Sequence, residues 1–384
     1  MRNKVLFNIS VFTFFIAVLF LANCESELSE NQQSAKYNGI IEVNSINNGQ
    51  NIENGFPIMI GISHVITDKF NNIYLVDQRN QTIHSFTADL DYRWSVGHRG
   101  AGPGEYNRIT SLFSTDSLLY VYDGPSTKMN IYNTMTGDRI KDHTFGESGH
   151  TIHNIRRNSN LEFITLGYNF ENETIVNIYS DNFTKRIDHL VHLDDIITTD
   201  NLNVERQIFS NFSGSVFPLD DSTILYTPHH YNGQLAIYSK SDSGEWSQLS
   251  SVNGYKKIVT PRTIHFSDND DHERSHLSGI NPMGGYFHTE YESRSLGIFP
   301  LADESISHVS IKLTTDDTWD LVVEYFDQSD LSMSHFSVIN ESISDQRPQK
   351  LPVWMNPDGK LFVIENSDTP LRIYEIVRDD NDKK

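Results

Sequence analysis

The feature that most constrains the fold is an internal repeat with a period of about 46 residues. The segments DKFNNIYLVDQRNQTIHSF (68–86) and STDSLLYVYDGPSTKMNIY (114–132) share one order of elements. A polar turn leads into an apolar strand that ends in aspartate, and a second turn leads into a strand that ends in an aromatic residue. This spacing is typical of a β-propeller blade, because a small sheet that is apolar on both faces can bury them only against copies of itself around a ring.

Weaker copies of the pattern continue along the chain, at residues 159–180, 220–240, 319–339 and 357–377. In most copies an aromatic residue closes the third strand: Phe86, Tyr132, Tyr179, Tyr238 and Tyr374. The sequence therefore predicts an all-β, six-bladed β-propeller of four-stranded antiparallel blades, with seven blades as the alternative. The last blade runs out near Val377, so we expect the strand-like segment 38–46 to pair into it and close the ring.

The first 24 residues have the order of a lipoprotein signal. Arg2 and Lys4 precede a mainly apolar run over residues 5–21, as in a secretory signal peptide. The segment LANC (21–24) then resembles a lipobox, although Asn23 stands where a small residue is usual. The cysteine in it, Cys24, is the single cysteine of the chain, and we predict that it is lipidated. The alternative is an uncleaved anchor helix, for which about 17 apolar residues is at the short limit.

The predicted domain organisation follows from these features. Residues 1–23 form the signal peptide, and the polar, acidic segment 24–36 forms a flexible tether. Residues 37–378 form one propeller domain, and 379–384 form a disordered tail. The acidic tract after the cysteine resembles the surface-export signals of Bacteroidota lipoproteins. The expected location is the cell envelope, lipid-anchored to the outer membrane on its periplasmic or surface side.

Charge limits the possible partners. The formal net charge of −21 argues against nucleic acid, because phosphate binding needs a clustered basic surface. It also argues against docking of the protein body onto an anionic membrane. A single cysteine excludes a disulfide framework within the chain. We expect a monomer that contacts the membrane through its N-terminal lipid and binds a protein, a small molecule or a glycan.

The segment SVGHRGAGPGEY (95–106) contains four glycines and suggests a phosphate-binding loop at first sight. It lacks the G-x-x-x-x-G-K-[ST] pattern of a phosphate loop and the glycine spacing of a dinucleotide-binding turn. The repeat instead places it between the last strand of one blade and the first strand of the next, so we interpret it first as a structural crossover. Crossovers lie on the face through which propellers usually bind. The candidate binding residues are therefore His98, Arg99 and Glu105 in this loop, with His229 and His230 after a later blade strand.

Catalytic signatures are missing from the sequence. There is no G-x-S-x-G nucleophile elbow. The segment SDNDDHERSH (267–276) concentrates acidic residues and histidines but has the spacing of neither a calcium loop nor an H-E-x-x-H site. We interpret it as a solvated loop between the fourth and fifth blades. Asp77 and Asp123 recur with the repeat and are interpreted as turn caps. No cofactor is predicted, and a divalent metal is the open alternative.

The blade pattern and GHRGAGPGEY together resemble the six-bladed β-propeller lipoproteins of Bacteroidota, akin to NHL-repeat and TolB-like propellers. The matching residues are Gly100, Gly102, Pro103, Gly104, Glu105 and Tyr106. The resemblance implies a fold and a location more than a chemistry. Two functions follow as hypotheses. The first is a non-enzymatic propeller that binds through its loop face. The alternative is a metal-dependent lyase or lactonase like the gluconolactonase-like propellers, whose metal ligands align with no motif here.

Overall fold

The computed structural model describes residues 36–37, 40–46, 59, 61–144, 152–169, 171–192, 214–229, 231–255, 263–267, 277–280, 286–290, 293–313, 319–339, 351–364 and 371–376. These residues form 30 strands and no helix. A helix long and apolar enough to cross a membrane is accordingly not found among them.

The strands are arranged in chain order as blades. Two N-terminal strands, β1 (Lys36–Tyr37) and β2 (Ile40–Ile46), come first. Blade 1 contains β3 (Ile62–Thr67), β4 (Ile73–Asp77), β5 (Thr82–Phe86) and β6 (Tyr92–Val96). The glycine loop contains β7 (His98–Arg99) and β8 (Glu105–Tyr106). Blade 2 contains β9 (Ile109–Ser114), β10 (Leu118–Asp123), β11 (Lys128–Asn133) and β12 (Arg139–Thr144). Blade 3 contains β13 (Asn154–Arg157), β14 (Phe163–Asn169), β15 (Thr174–Tyr179) and β16 (Arg186–His192).

The second half continues this order with one insertion. Blade 4 contains β17 (Ser215–Pro218), β18 (Thr223–Thr227), β19 (Gln234–Lys240) and β20 (Trp246–Asn253). A three-stranded sheet follows, made of β21 (Thr263–Ser267), β22 (Leu277–Ile280) and β23 (Tyr286–Glu290). Blade 5 contains β24 (Ser293–Pro300), β25 (Ser305–Leu313), β26 (Trp319–Asp327) and β27 (Met333–Ile339). Blade 6 contains β28 (Val353–Met355), β29 (Leu361–Ile364) and β30 (Leu371–Ile376), together with β2.

The innermost strands form a closed ring. Each blade has four antiparallel strands, to which blade 5 adds β1, and the first strand of each blade contacts the first strand of the next. The contacts run through β3, β9, β13, β17, β24 and β28 and return from β28 to β3. The prediction of a six-bladed propeller is confirmed, and the seven-bladed alternative is wrong.

Six apolar clusters of the described residues fill the six interfaces between neighbouring blades. Strand β4 shows how the sequence produces this arrangement. Ile73 and Leu75 belong to the cluster against blade 6, whereas Tyr74 and Val76 belong to the cluster against blade 2. Successive side chains of a strand point to opposite faces, so an uninterrupted apolar strand supplies two cores at once.

Ring closure occurs where the sequence predicts it. Strand β2 pairs antiparallel with β30, and Ile46 lies opposite Leu371. Ile46 is buried in the cluster that joins blade 6 to blade 1. Strand β2 therefore supplies the outer strand of the last blade and joins an early segment of the chain to the last blade of the ring.

The aromatic residue of the third strand marks a recurring β-bulge. In blades 1 to 5 the pairing of the third and fourth strands shifts by one residue at the aromatic position: Phe86, Tyr132, Tyr179, Tyr238 and Phe326. A bulge adds local twist and bends the outer strand. Phe326 extends the predicted aromatic pattern to the fifth blade.

The sequence did not predict the position of β1. Lys36 and Tyr37 pair in parallel with Phe336 and Ser337 of β27, adding a fifth strand to the outer edge of blade 5. Lys36, expected to end the flexible tether, thus lies in a strand. Such pairing covers part of an edge strand, whose free backbone groups would otherwise be open to another chain.

Candidate functional site

The glycine loop is the crossover that the repeat predicts. It leaves β6, the outer strand of blade 1, and enters β9, the inner strand of blade 2. Within it, β7 pairs in parallel with β8, so that His98 lies opposite Glu105 and Arg99 lies opposite Tyr106. The Gly100 N–H donates to the Tyr106 carbonyl at 3.1 Å. The loop therefore has defined secondary structure of its own.

Glu105 organises the inside of this loop. One carboxylate oxygen accepts a hydrogen bond from the Gly102 N–H at 2.7 Å, and the other lies 3.0 Å from His98 Nε2. The Gly102 N–H, with a smaller contribution from His98, holds the pKa of Glu105 below its usual range. A Cβ on Gly100 would lie 2.0 Å from the Glu105 carboxylate. A side chain at residue 100 would therefore displace the Glu105 carboxylate from its present position.

Contacts with both blades fix the loop in place. Thr82 of blade 1 donates to the Gly97 carbonyl at 3.1 Å, and Lys128 of blade 2 donates to the Gly102 carbonyl at 2.9 Å. The hydroxyls of Tyr106 and Tyr132 are 2.6 Å apart and buried. Gly97 has φ +83°, and a Cβ there would lie 2.7 Å from the Tyr106 ring. Backbone conformation and close packing therefore both require glycine at residue 97.

The rigid loop presents two basic side chains to solvent. The His98 side chain is 69% exposed although it contacts Glu105. Arg99 is also exposed, and its guanidinium donates one long hydrogen bond, 3.4 Å, to the Arg79 carbonyl. The loop thus combines a fixed backbone with a guanidinium that has further donors available for a partner.

The remaining predicted site residues lie elsewhere. His229 is buried in blade 4, and its carbonyl accepts from the Ser295 N–H of blade 5 at 3.0 Å. The structure therefore brings His98 and Glu105 together and places His229 in a different sector of the ring. His230 and Cys24 lie outside the described residues, and so does most of the acidic segment 267–276.

Asp77 and Asp123 have structural roles. Asp77 accepts hydrogen bonds from the backbone of Arg79 and Asn80, which confirms the predicted turn cap. Asp123 contacts Ser126 in the equivalent turn and also accepts from the backbone N–H groups of residues 107 and 108. It therefore anchors the end of the glycine loop to blade 2 in addition to capping its own turn.

A buried network of hydrogen-bonded side chains joins blades 4 and 5. The sequence analysis did not predict it. Glu324 accepts hydrogen bonds from the Tyr231 hydroxyl and His308 Nδ1, each at 2.7 Å, and from the Tyr255 N–H at 2.6 Å. His308 Nε2 lies 3.0 Å from the Ser295 hydroxyl, which in turn contacts the Ser215 hydroxyl of blade 4 at 2.7 Å. The sequence feature that could have revealed this network is a polar residue at an inward position of each of two apolar strands: His308 in SISHVSI and Glu324 in LVVEYF.

The order in which Ser295, His308 and Glu324 are hydrogen-bonded is also that of a nucleophilic triad. The burial of the three side chains distinguishes a structural network from a catalytic one. Ser295 is 4% exposed, Glu324 is 1% exposed and His308 is 0% exposed. The Tyr231 ring covers the imidazole at 4.4 Å between ring centroids. We interpret this hydrogen-bonded network as a structural tie between blades 4 and 5, in which each of its buried polar groups has a hydrogen-bond partner.

A family comparison agrees with this architecture. Residues 57–273, more than half of the chain, match the family DUF5128, described as "6-bladed beta-propeller". The chain belongs to this family. No curated protein sequence matches the chain at a significant level.

Solved structures similar to this DUF5128 propeller share little sequence with it. A Bacteroides fragilis NCTC 9343 protein described as a candidate exported protein is 10% identical, with a TM-score of 0.49, over 88% of this chain and 93% of its own. A streptogramin B lyase is 9% identical, with a TM-score of 0.43, over 88% and 97%. A Bacteroides caccae protein is 12% identical, with a TM-score of 0.40, over 74% and 90%.

His64 lies near the start of β3, the innermost strand of blade 1 of the DUF5128 propeller. Its Nε2 donates to the Thr110 carbonyl at 3.2 Å, and its Nδ1 accepts from the Ser63 hydroxyl at 2.8 Å. Burial lowers the pKa of His64 to about 4, so the imidazole is neutral at physiological pH. The described residues contain no group of three His, Cys, Asp or Glu side chains placed to hold a metal ion.

Replacement of Glu324 tests the structural tie. In Glu324→Gln an amide N–H₂ replaces one carboxylate oxygen and faces hydrogen-bond donors, so we expect a loss of about 3 kcal/mol in the free energy of unfolding, measured in urea. The control is Glu375→Gln, because Glu375 is exposed and pairs with Lys360 at 3.5 Å. The control substitution should lower the free energy of unfolding by less than about 1 kcal/mol. Equal stabilities of the two variants, or Ser295-dependent cleavage of an ester probe, would contradict the tie.

The lowered pKa of His64 predicts a pH dependence of stability. Between pH 6.5 and about 4 the unfolded chain binds a proton at His64 that the folded chain excludes, so acidification through this window destabilises the fold. His64→Gln, which can still donate to Thr110, should remove this part of the slope, up to about 3 kcal/mol. Urea unfolding at several pH values measures it. Leu249→Ala is the control because Leu249 is exposed and does not titrate, and it should retain the wild-type slope; an unchanged slope in His64→Gln would sink the prediction.

Proposed function

We propose that this protein is an exported propeller, anchored to the outer membrane through a lipid on Cys24, that binds a ligand or protein partner through its loop face. The loop face is the end of the ring that carries the glycine loop and the starts of the innermost strands. The observation that carries the proposal is the glycine loop, in which a fixed backbone presents His98 and Arg99 to solvent. A rigid loop loses little conformational entropy on binding, so its contacts contribute more to affinity.

The chemistry of the loop indicates what it would contact. Arginine is a frequent anchor in interfaces because its planar guanidinium donates several hydrogen bonds in fixed directions. Glu105 is already held by Gly102 and His98, so Arg99 is the charged group in the loop with the most donors left for a partner. A partner that presents carboxylate or carbonyl oxygens fits this arrangement.

The anchoring part of the proposal rests on the sequence of residues 1–24. Cys24→Ala should shift the protein from the membrane fraction to the soluble fraction, and from the detergent phase to the aqueous phase. Two acyl chains hold a protein stably on a membrane, and this variant lacks both. Fractionation followed by immunoblotting measures the change. An uncleaved helix would keep Cys24→Ala in the membrane fraction, which would contradict lipid anchoring.

The binding part is tested with the double variant His98→Ala, Arg99→Ala. Both side chains are exposed, so the variant should fold with a thermal midpoint close to that of the wild type. Crosslinking in the native envelope followed by affinity capture should recover partners with the wild-type chain and at least about tenfold less with the variant, since a hot-spot arginine contributes about 1.4 kcal/mol or more.

The matched control for this experiment is Lys69→Ala. Lys69 lies in the hairpin between β3 and β4, at the opposite face of the ring, and its side chain is 49% exposed. The Lys69→Ala variant lacks one exposed cation but has an unchanged loop face, so it should capture partners at the wild-type level. Equal capture by all three proteins would refute the loop-face proposal. Calcium or zinc bound stoichiometrically to the purified wild-type protein would instead favour a metal-dependent lyase or lactonase.

A further inference from the structure

An arginine and a tryptophan meet across the central channel. Arg156 lies on β13, the inner strand of blade 3, and Trp354 lies on β28, the inner strand of blade 6. These blades are opposite each other in the six-membered ring of inner strands. The guanidinium carbon nevertheless lies 5.4 Å from the centre of the indole ring. The two side chains therefore extend into the channel from opposite walls and stack near its axis.

Contacts with several blades hold Trp354 in place for this cation–π contact. Its indole N–H donates to the Thr67 hydroxyl of blade 1 at 3.0 Å. Its ring also packs edge to face against Phe299 of blade 5, with 5.2 Å between ring centroids. It contacts three of the six apolar clusters, which belong to the interfaces between blades 5 and 6, 6 and 1, and 1 and 2. The indole therefore has one well-defined orientation.

The charge of Arg156 is not balanced by any described residue. Its guanidinium donates one hydrogen bond, 3.3 Å, to the carbonyl of the preceding residue, Ile155, and no ion pair with a described carboxylate is present. Burial lowers the pKa of Arg156 to about 10, so the side chain stays protonated at neutral pH. A partly buried charge without a counter-ion is unfavourable, because it loses hydration and gains no ion pair. Solvent still reaches the group, because Arg156 is only partly buried.

A second polar group on the same strand also lacks a partner. Asn154 precedes Arg156 by two residues, and side chains two apart on a strand share a face at a spacing of about 7 Å. Ile155 between them faces the core of blades 2 and 3. The side-chain oxygen of Asn154 is buried and has no hydrogen-bond partner among the described residues. The strand thus offers a buried acceptor beside a cation with unused donors.

We propose that the channel binds a small hydroxylated carboxylic acid, with its carboxylate on Arg156 and a hydroxyl donating to Asn154. The guanidinium lies over the Trp354 ring and has five N–H donors, of which one bonds the Ile155 carbonyl. Two parallel N–H groups match the two oxygens of a carboxylate. The spacing of about 7 Å between the two positions suits a ligand the size of a sugar acid. This site lies inside the channel and goes beyond the loop-face proposal, which does not depend on it.

The test uses the purified full chain with glucuronate, acetate, glucose and inorganic phosphate as probes. Glucuronate should raise the thermal midpoint and give saturable binding in calorimetry, while acetate binds more weakly and glucose does not bind. Arg156→Gln should weaken glucuronate binding at least tenfold. Asn154→Ala should weaken glucuronate binding and leave acetate binding unchanged.

Two further variants keep the outcome decisive. Arg156→Lys keeps the charge and removes the planar fork, so it should fold even where Arg156→Gln does not, and it should bind glucuronate several-fold more weakly than the wild type. The double variant His98→Ala, Arg99→Ala should bind glucuronate as the wild type does, which separates this site from the loop face. The proposal is overturned by no binding of glucuronate, by binding that Arg156→Lys and Asn154→Ala leave unchanged, or by phosphate binding tighter than glucuronate binding.

Discussion

The pairing of β2 with β30 is the contact on which the other interfaces depend. A propeller blade is apolar on both faces, so an open series of six blades would expose one face at each end. Antiparallel pairing of residues 40–46 with β30 places a segment that precedes blade 1 in the sheet of blade 6. The cluster that contains Ile46 then fills the interface between blade 6 and blade 1. Only with that interface formed does each blade have a neighbour on both sides.

Closure also creates a central channel whose walls come from six different parts of the chain. Residues far apart in sequence approach there because each inner strand contributes only a few side chains. Arg156 and Trp354 are 198 positions apart in the sequence, yet they stack across the axis. Trp354 in turn is held by Thr67 and Phe299 from two further blades. The channel is therefore the part of the molecule most sensitive to how the blades are arranged, and the loop face depends mainly on local structure.

Sequence reasoning succeeded where the physical cause is local or repeated. The uninterrupted apolar strands such as IYLVD, the turn cap at Asp77 and the aromatic residue that closes the third strand all act within one blade, so they recur with its period. The glycine loop was placed correctly because the repeat defines the ends of its two flanking strands. The pairing of β7 with β8, which brings His98 opposite Glu105, was not predicted.

What the sequence by itself determined is the blade and the crossover that links the first two; it left six or seven copies open. The blade and the crossover follow from apolar strands and turn residues, which act over a few residues and recur with the repeat. Only the tertiary structure decided that β1 pairs with blade 5, that Glu324 joins Tyr231 to His308, and that Arg156 lies on Trp354. Each of these contacts joins separate strands or blades, and no local pattern encodes which residues face one another when a ring of six sheets closes.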